Sequence, residues 1–295
     1  QQRLAILRNL MLDAPRDVDY ILTPETAVDA DLWENTLERN PLILDLQKFM
    51  GENFPSSELI LGAETYYQYG ADEEPDFTAR HHAQMDFWWD YNNTALGIDS
   101  SSRIEIYHKA RPLIGVEKLP YARFFRGLER FSVDMGGLVG QIGLTPRDTV
   151  FASPDGLKVG VAICWDEVYG EYISKYVENG ARTLFIITNE GWWGDTRGYK
   201  QLFAFSRLRA VETRTAIGRS ANTGISGFIN GRGDVIASLG WDRRGTLTED
   251  MALNTKQTVY VRRGDWIGRL SCLVAGLCLL YFLAYRIRKR DHMVE

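Results

Sequence analysis

The sequence predicts an α/β domain followed by one membrane-spanning helix. Three observations carry that expectation. Apolar runs of strand-like composition alternate with amphipathic runs of helical period across residues 1 to 262. Reactive side chains fall at the ends of the apolar runs, where open α/β sheets place their sites. Residues 270 to 285 contain no charge at all, unlike any earlier stretch of that length.

The elements follow in order. QQRLAILRNLMLDA places Leu4, Leu7, Leu10 and Met11 on one helical face. The chain opens on Gln1 rather than methionine, and an upstream segment is expected to precede it. VDYILTPETA reads as a strand entering a turn, ELILGAETYY as a second strand, and QYGADEEPDFTARHHAQMD as a polar surface loop. NTALGIDSSSRIEIYHKAR reads as a hairpin turning between Asp99 and Ser102, and LKVGVAICWDE as a strand. EYISKYVENGA is a helix closing at Asn179-Gly180, and RTLFIITNEGWW is the next strand. KQLFAFSRLRAVETRTA gives a long amphipathic helix, and TGISGFINGRGDVIASL a hairpin with its turn on Asn230-Gly231. No linker or repeat divides residues 1 to 262, so one domain is expected.

Composition narrows the function. The net charge of -5 and the absence of a basic stripe with interleaved aromatics argue against nucleic acid as a partner. Three cysteines, Cys164, Cys272 and Cys278, make no disulfide framework and no zinc spacing, and the four histidines form neither HxxxH nor HExxH. No metal site is expected.

The run WIGRLSCLVAGLCLLYFLAYRIRKR is long enough to cross a bilayer over residues 266 to 286, with Arg269 able to snorkel and Trp266 and Tyr285 as interfacial aromatics. A buried core helix is the alternative. Arg286, Arg288, Lys289 and Arg290 make the denser positive flank, so residues 287 to 295 are expected as a basic cytoplasmic tail. The globular domain would then lie on the outer side, which in a bacterium would be the periplasmic face.

Glu25 in TPETA, Lys109 in YHKARPL and Cys164 in VAICWDE each end a separate strand. Taken singly, each has an ordinary reading: a surface carboxylate starting a helix, a solvated lysine, a small buried thiol. Taken together they supply base, cation and nucleophile, because a thiol needs a base to become thiolate and a tetrahedral intermediate needs positive charge at its oxyanion. Glu117 and Asp166 would alone pass as surface charges. Phe124, Phe125, Phe131, Leu138 and Val139, among Gly127, Gly136, Gly137 and Gly140, form an apolar stretch suited either to lipid entry or to ordinary packing.

The strings TPETA, YHKARPLIGVEKLP, VAICWDEVYGE and TNEGWWGD, in that order, resemble the nitrilase (carbon-nitrogen hydrolase) superfamily, whose motifs centre on Glu, Lys and Cys. Glu117 follows Lys109 by eight residues, as that family's second glutamate does. The resemblance is nearest to its apolipoprotein N-acyltransferase branch, through the Asn-acid-small-Trp-aromatic-Gly motif at Asn189, the Arg-Ala-x-Glu helix at Arg209 and the segment Ala221-Asn222-Thr223-Gly224-Ile225.

The resemblance implies a nitrilase-like four-layer α-β-β-α sandwich followed by the C-terminal transmembrane helix, and a ping-pong acyl transfer without cofactor. Glu25 would deprotonate Cys164, and Lys109 with the Trp165 N–H would hold the oxyanion. Glu117 would orient Lys109 or the incoming amine, Asp166 would support the site, and Trp192 and Asn189 would bind substrate. Trp192 and Trp193 also suit a core role. The implied partners are a phosphatidylethanolamine-like phospholipid donor, a diacylated apolipoprotein acceptor and the membrane. The alternative within the superfamily is a membrane-anchored amidase or nitrilase-type hydrolase, and a third reading, from a different class, is a membrane-anchored binding module with a degenerate site. The chain departs from the family's Pro-Phe-Gly-Glu at Ile114-Gly115-Val116-Glu117. An N-terminal strand and membrane helices upstream of residue 1 are further expected.

Overall fold

The computed structural model describes residues 2–76, 78–113, 117, 150–153 and 156–291. The apolar stretch from Phe124 to Val139 and the departure at Ile114-Gly115-Val116 lie outside the described residues.

Helix α1 (Gln2–Leu12) leads into strand β1 (Tyr20–Leu22), and β2 (Leu32–Trp33) precedes α2 (Pro41–Asn53). Pro at the first helical position and Asn40, whose side chain accepts from the Leu42 N–H, start α2. Strands β3 (Glu58–Gln68), β4 (Arg80–His82), β5 (Phe87–Ile98) and β6 (Ile104–His108) complete a first six-stranded sheet. Its spine is the antiparallel β3–β5 pair, and β1 runs parallel to β3. The polar stretch after Gln68 is therefore not wholly loop. Arg80–His82 pairs back on β5, with Arg80, His81 and His82 opposite Trp89, Trp88 and Phe87.

The second sheet holds β7 (Val150–Ala152), β8 (Lys158–Ile163), β9 (Thr183–Asn189), β10 (Ile217–Asn222), β11 (Ser226–Ile229) and β12 (Val235–Leu239), in the order 12-11-10-9-8-7. Strands β8, β9 and β10 are parallel, joined through α3 (Gly170–Glu178) and α4 (Gly198–Thr213). The β11–β12 turn spans residues 230 to 234 rather than closing on Asn230-Gly231. The Asn230 side chain accepts from the Arg232 and Asp234 N–H groups, and the left-handed residue is Gly233 at φ +84°.

Two apolar cores make the layers. On the outer face of the first sheet, Leu59, Leu61 and Leu96 pack with Met11 of α1 and Ile43, Leu46 and Met50 of α2. Its inner face turns Ile60, Ala95 and Tyr107 onto the second sheet, whose far side is covered by Ile173, Tyr176 and Ala210 of α3 and α4. The strand period of two thus feeds a different core with each successive residue of β3. A short α5 (Val259–Arg263) leads into α6 (Trp266–Asp291). Residues Trp266–Arg286 have a mean hydropathy of 2.0 and none of that span is buried among the described residues, so α6 is long and apolar enough to cross a membrane. The helix runs past the expected boundary at residue 286, through the start of the basic tail to Asp291.

One buried ion cluster ties the ends of β8, β9 and β10 together. Arg219 of β10 donates through Nη2 to Glu167 Oε1 at 3.0 Å and Glu190 Oε1 at 2.6 Å, through Nη1 to the Ile225 carbonyl at 2.6 Å, and through Nε to Ser206 Oγ at 3.0 Å. The Ser206 hydroxyl in turn donates to Glu167. Burial pushes the Glu167 carboxyl up, and Arg219 pulls it back part of the way. Gly224 lies against Glu190 so closely that any side chain there would overlap its carboxylate. Removing the guanidinium would leave two carboxylates enclosed without a cation. Arg219→Met is expected to lower the unfolding free energy by about 3–5 kcal/mol, read by denaturant titration in detergent; a loss below about 1 kcal/mol, the scale of a surface pair, would contradict the structural importance given to the cluster.

Candidate active site

Glu25 sits in the turn that leaves β1. Thr26 adopts φ 51°, in the left-handed region, and the turn is fastened to β3: the Gly62 N–H donates to Thr23 Oγ1 at 2.9 Å and the Gly62 carbonyl accepts from the Ala27 N–H at 2.8 Å. A Cβ on Gly62 would stand 2.1 Å from the Pro24 carbonyl oxygen, so only glycine lets the turn approach. The Glu25 carboxylate accepts from Asn93 Nδ2 at 2.5 Å, from the Asn189 N–H at 2.7 Å and from Lys109 Nζ at 3.2 Å. Both sheets therefore orient one carboxylate.

Lys109 leaves the end of β6 and is 1% exposed. Its backbone N–H donates to the Asn93 carbonyl at 2.9 Å, and its ammonium bridges Glu25 and Glu117, the latter at 2.6 Å. Glu117 is held in turn by the Leu113 N–H at 2.7 Å. Burial alone would discharge the ammonium, but the Glu25 and Glu117 carboxylates outweigh it and hold its pKa well above the ordinary lysine value. Lys109 is a cation in the resting site.

Cys164 begins a 3-10 turn, Cys164–Val168, at the end of β8, and its φ of 48° is one that β-carbon-bearing residues seldom adopt. This sharp strand-to-helix turn is the geometry that lifts a nucleophile out of a sheet. The turn is fixed by Asp166, which is fully buried and accepts from Tyr107 Oη at 2.6 Å, the Ile163 N–H at 3.0 Å and the Arg111 N–H at 2.7 Å. Burial raises the Asp166 carboxyl to about 6 against the pull of these donors. The Cys164 thiol is pushed up by burial and by the Glu25 charge, with Lys109 opposing. It rests protonated, next to a carboxylate and a cation.

Asn189 and Trp192 reach the site in series. The Trp192 indole N–H donates to the Asn189 carbonyl at 2.7 Å, and the Asn189 N–H is the donor to Glu25. Trp165 follows the cysteine in the first turn, where N–H groups have no carbonyl one turn back to bond. Among the described residues no group of three or more His, Cys, Asp or Glu is arranged to hold a metal. Asn93, Tyr107 and Arg219 are the residues that sequence reasoning missed. The signal for Asn93 and Arg219 is a polar side chain inside an apolar strand, Asn92-Asn93 in WDYNNTALGI and Arg219 in AIGRSAN, since such groups must find partners in the interior.

The arrangement matches known proteins in sequence and in fold. A profile described as carbon-nitrogen hydrolase matches residues 73–260, more than half of the chain. The apolipoprotein N-acyltransferase of Chlorobaculum tepidum is 33% identical over 203 residues, which is 68% of this chain and 38% of that protein. The apolipoprotein N-acyltransferase of Brucella suis is 28% identical over 279 residues, 93% of this chain and 47% of that protein. The chain thus spans less than half the length of these relatives. Among solved structures, Nit3 of Saccharomyces cerevisiae, a member of branch 10 of the nitrilase superfamily, superposes with a TM-score of 0.53 at 13% identity over 88% of this chain and 84% of that one. A mutant amidase from Nesterenkonia, in which the acetamide moiety of fluoroacetamide is added covalently at the active-site cysteine, superposes with a TM-score of 0.51 at 14% identity over 82% and 81%. With its two sheets, its turn-borne cysteine and a family profile over residues 73–260, this chain belongs to the carbon-nitrogen hydrolase family.

Proposed function

We propose that the chain is the catalytic part of a membrane acyltransferase, moving a fatty acyl group from a phospholipid to the N-terminal amine of a diacylglyceryl-cysteine lipoprotein. The observation that carries this reading is the buried Glu25–Lys109–Glu117 relay beside Cys164, in a domain that runs straight into an unburied apolar helix. The names of the bacterial relatives supply the acceptor, and the apolar helix suits a donor drawn from the bilayer.

In the first half-reaction Glu25 takes the thiol proton as Cys164 Sγ bonds to the ester carbonyl carbon. The carbonyl oxygen, now negative, is held by Lys109 Nζ and the Trp165 N–H. Collapse breaks the carbon–oxygen bond, Glu25 returns the proton to the leaving alkoxide, and lysophospholipid departs from a Cys164 thioester. In the second half the lipoprotein α-amine attacks the thioester and gives its proton to Glu25. The carbon–sulfur bond breaks, the thiolate recovers that proton, and an amide is released. Glu117 keeps Lys109 aimed at the oxyanion or orients the amine. Asp166 fixes the cysteine turn, while Asn189 and Trp192 line the substrate side of Glu25. The domain would face the periplasm of a bacterial inner membrane, with the basic end of α6 in the cytoplasm.

A protonated resting thiol has a direct consequence. Alkylation of Cys164 by iodoacetamide at pH 8 is expected to run at least roughly tenfold slower than that of a free thiol of ordinary pKa, and its rate should keep rising above pH 9. A plateau already reached by pH 7 would mean a pre-formed thiolate and would remove the need for Glu25 as base.

Variants separate the roles. Cys164→Ala should abolish lysophospholipid release and lipoprotein acylation, and Glu25→Gln should slow release by roughly 10²–10⁴-fold. Transfer that persists in Cys164→Ala would sink the mechanism. Lys109→Met should lose turnover with the circular dichroism spectrum retained, whereas an unfolded Lys109→Met protein would make the lysine a structural residue.

A further inference from the structure

Arg111 is a cation that the chemistry above leaves unused. It follows Lys109 by two residues and is exposed, and no carboxylate pairs with it among the described residues. Its guanidinium lies over the rings of Tyr169 and Tyr172, 5.7 Å and 5.1 Å from their centroids. Its backbone N–H is pinned by Asp166, the same carboxylate that fixes the cysteine turn. One buried group therefore sets Arg111 relative to Cys164.

A separate set of contacts joins this corner of the domain to the apolar helix. Tyr169 caps the start of α3, and two residues on Glu171 accepts from the Asp265 N–H at 2.8 Å and from Arg269 at the head of α6. Tyr260 of α5 comes so near Gly170 that a Cβ there would stand 2.5 Å from its hydroxyl. Arg262 and Arg263 in the last turn of α5 are exposed, and so are Tyr169 and Trp266, the residue types that sit at a membrane surface. The cysteine turn, Arg111 and the entry of α6 into the bilayer thus share one end of the fold.

We propose that Arg111, seated on Tyr169, binds the phosphate of the glycerophospholipid acyl donor; this rests on the acyl-transfer reading above. A guanidinium offers a fork of N–H donors that matches phosphate oxygens, and its aromatic bed fixes the plane of that fork. Two residues of chain span at most about 7 Å. In a glycerophospholipid the ester carbonyl and the phosphorus are separated by only the glycerol carbons and their oxygens. Asp166 holds both the Arg111 N–H and the turn that begins at Cys164, so a phosphate on Arg111 would set the glycerol ester beside that turn. Phosphate is also the group common to these lipids whatever their headgroup, so an anchor on it selects the lipid class rather than one member.

The test compares two acyl donors on the full-length protein in neutral detergent: phosphatidylethanolamine, and a p-nitrophenyl fatty-acyl ester that lacks phosphate. Acylation of Cys164 is followed for wild type, Arg111→Gln and Arg111→Lys. Arg111→Gln is expected to raise the half-saturating phosphatidylethanolamine concentration by roughly 10- to 100-fold more than that of the neutral ester, and Arg111→Lys to recover part of the loss. Equal losses on both donors, or none on phosphatidylethanolamine, would overturn the assignment. A wild-type protein acylated by the neutral ester and by no phospholipid would refute the acyl-transfer reading itself, and the assignment would fall with it.

Discussion

An ammonium enclosed in protein keeps its charge only where carboxylates replace its lost water, and Lys109 has two of them. That requirement organises the site. Glu25 arrives from the end of β1, Glu117 from beyond β6, and Cys164 from the end of β8, so three segments of two sheets must converge on one cation. The enclosed cation also explains the state of the thiol. It favours a thiolate, yet burial and the nearby Glu25 charge win, and the sulfur rests protonated.

The rest of the fold holds the ends of those segments in register. Asn93 spans the site from β5: its carbonyl receives the Lys109 N–H while its amide donates to Glu25. Asp166 joins Tyr107 of the first sheet to the cysteine turn of the second. Arg219 performs the same task one layer away, linking Glu167 in that turn to Glu190 beside the residue that aligns Glu25. These groups need not touch a substrate to matter. Each fixes backbone whose displacement by an ångström would move Glu25 relative to Cys164.

The residues that meet at the candidate site, Glu25, Lys109 and Cys164, were legible in the sequence because strand ends leave short, well-marked motifs, and the apolar helix because a span of that length and hydropathy has few soluble uses. The supporting residues were less legible. Asn93 and Arg219 lie inside apolar strands, and a single sequence states that such groups need partners without saying which. The short strands β2 and β4 carry too little periodicity to stand apart from loop, since pairing with β3 and β5 creates them. At the last hairpin, Asn-Gly suggested a two-residue turn, but Asn230 bonds forward to Arg232 and Asp234 and moves the left-handed position to Gly233.

Transfer of the acyl group through Cys164 is tested by the mass of the full-length protein extracted from membranes, before and after hydroxylamine. Acyl transfer through a thioester should leave a fatty-acyl adduct that hydroxylamine removes and that maps to the peptide containing Cys164, not to those containing Cys272 or Cys278 of α6. Protein incubated with phospholipid that carries no adduct on Cys164, although that thiol still reacts with iodoacetamide at high pH, would contradict it.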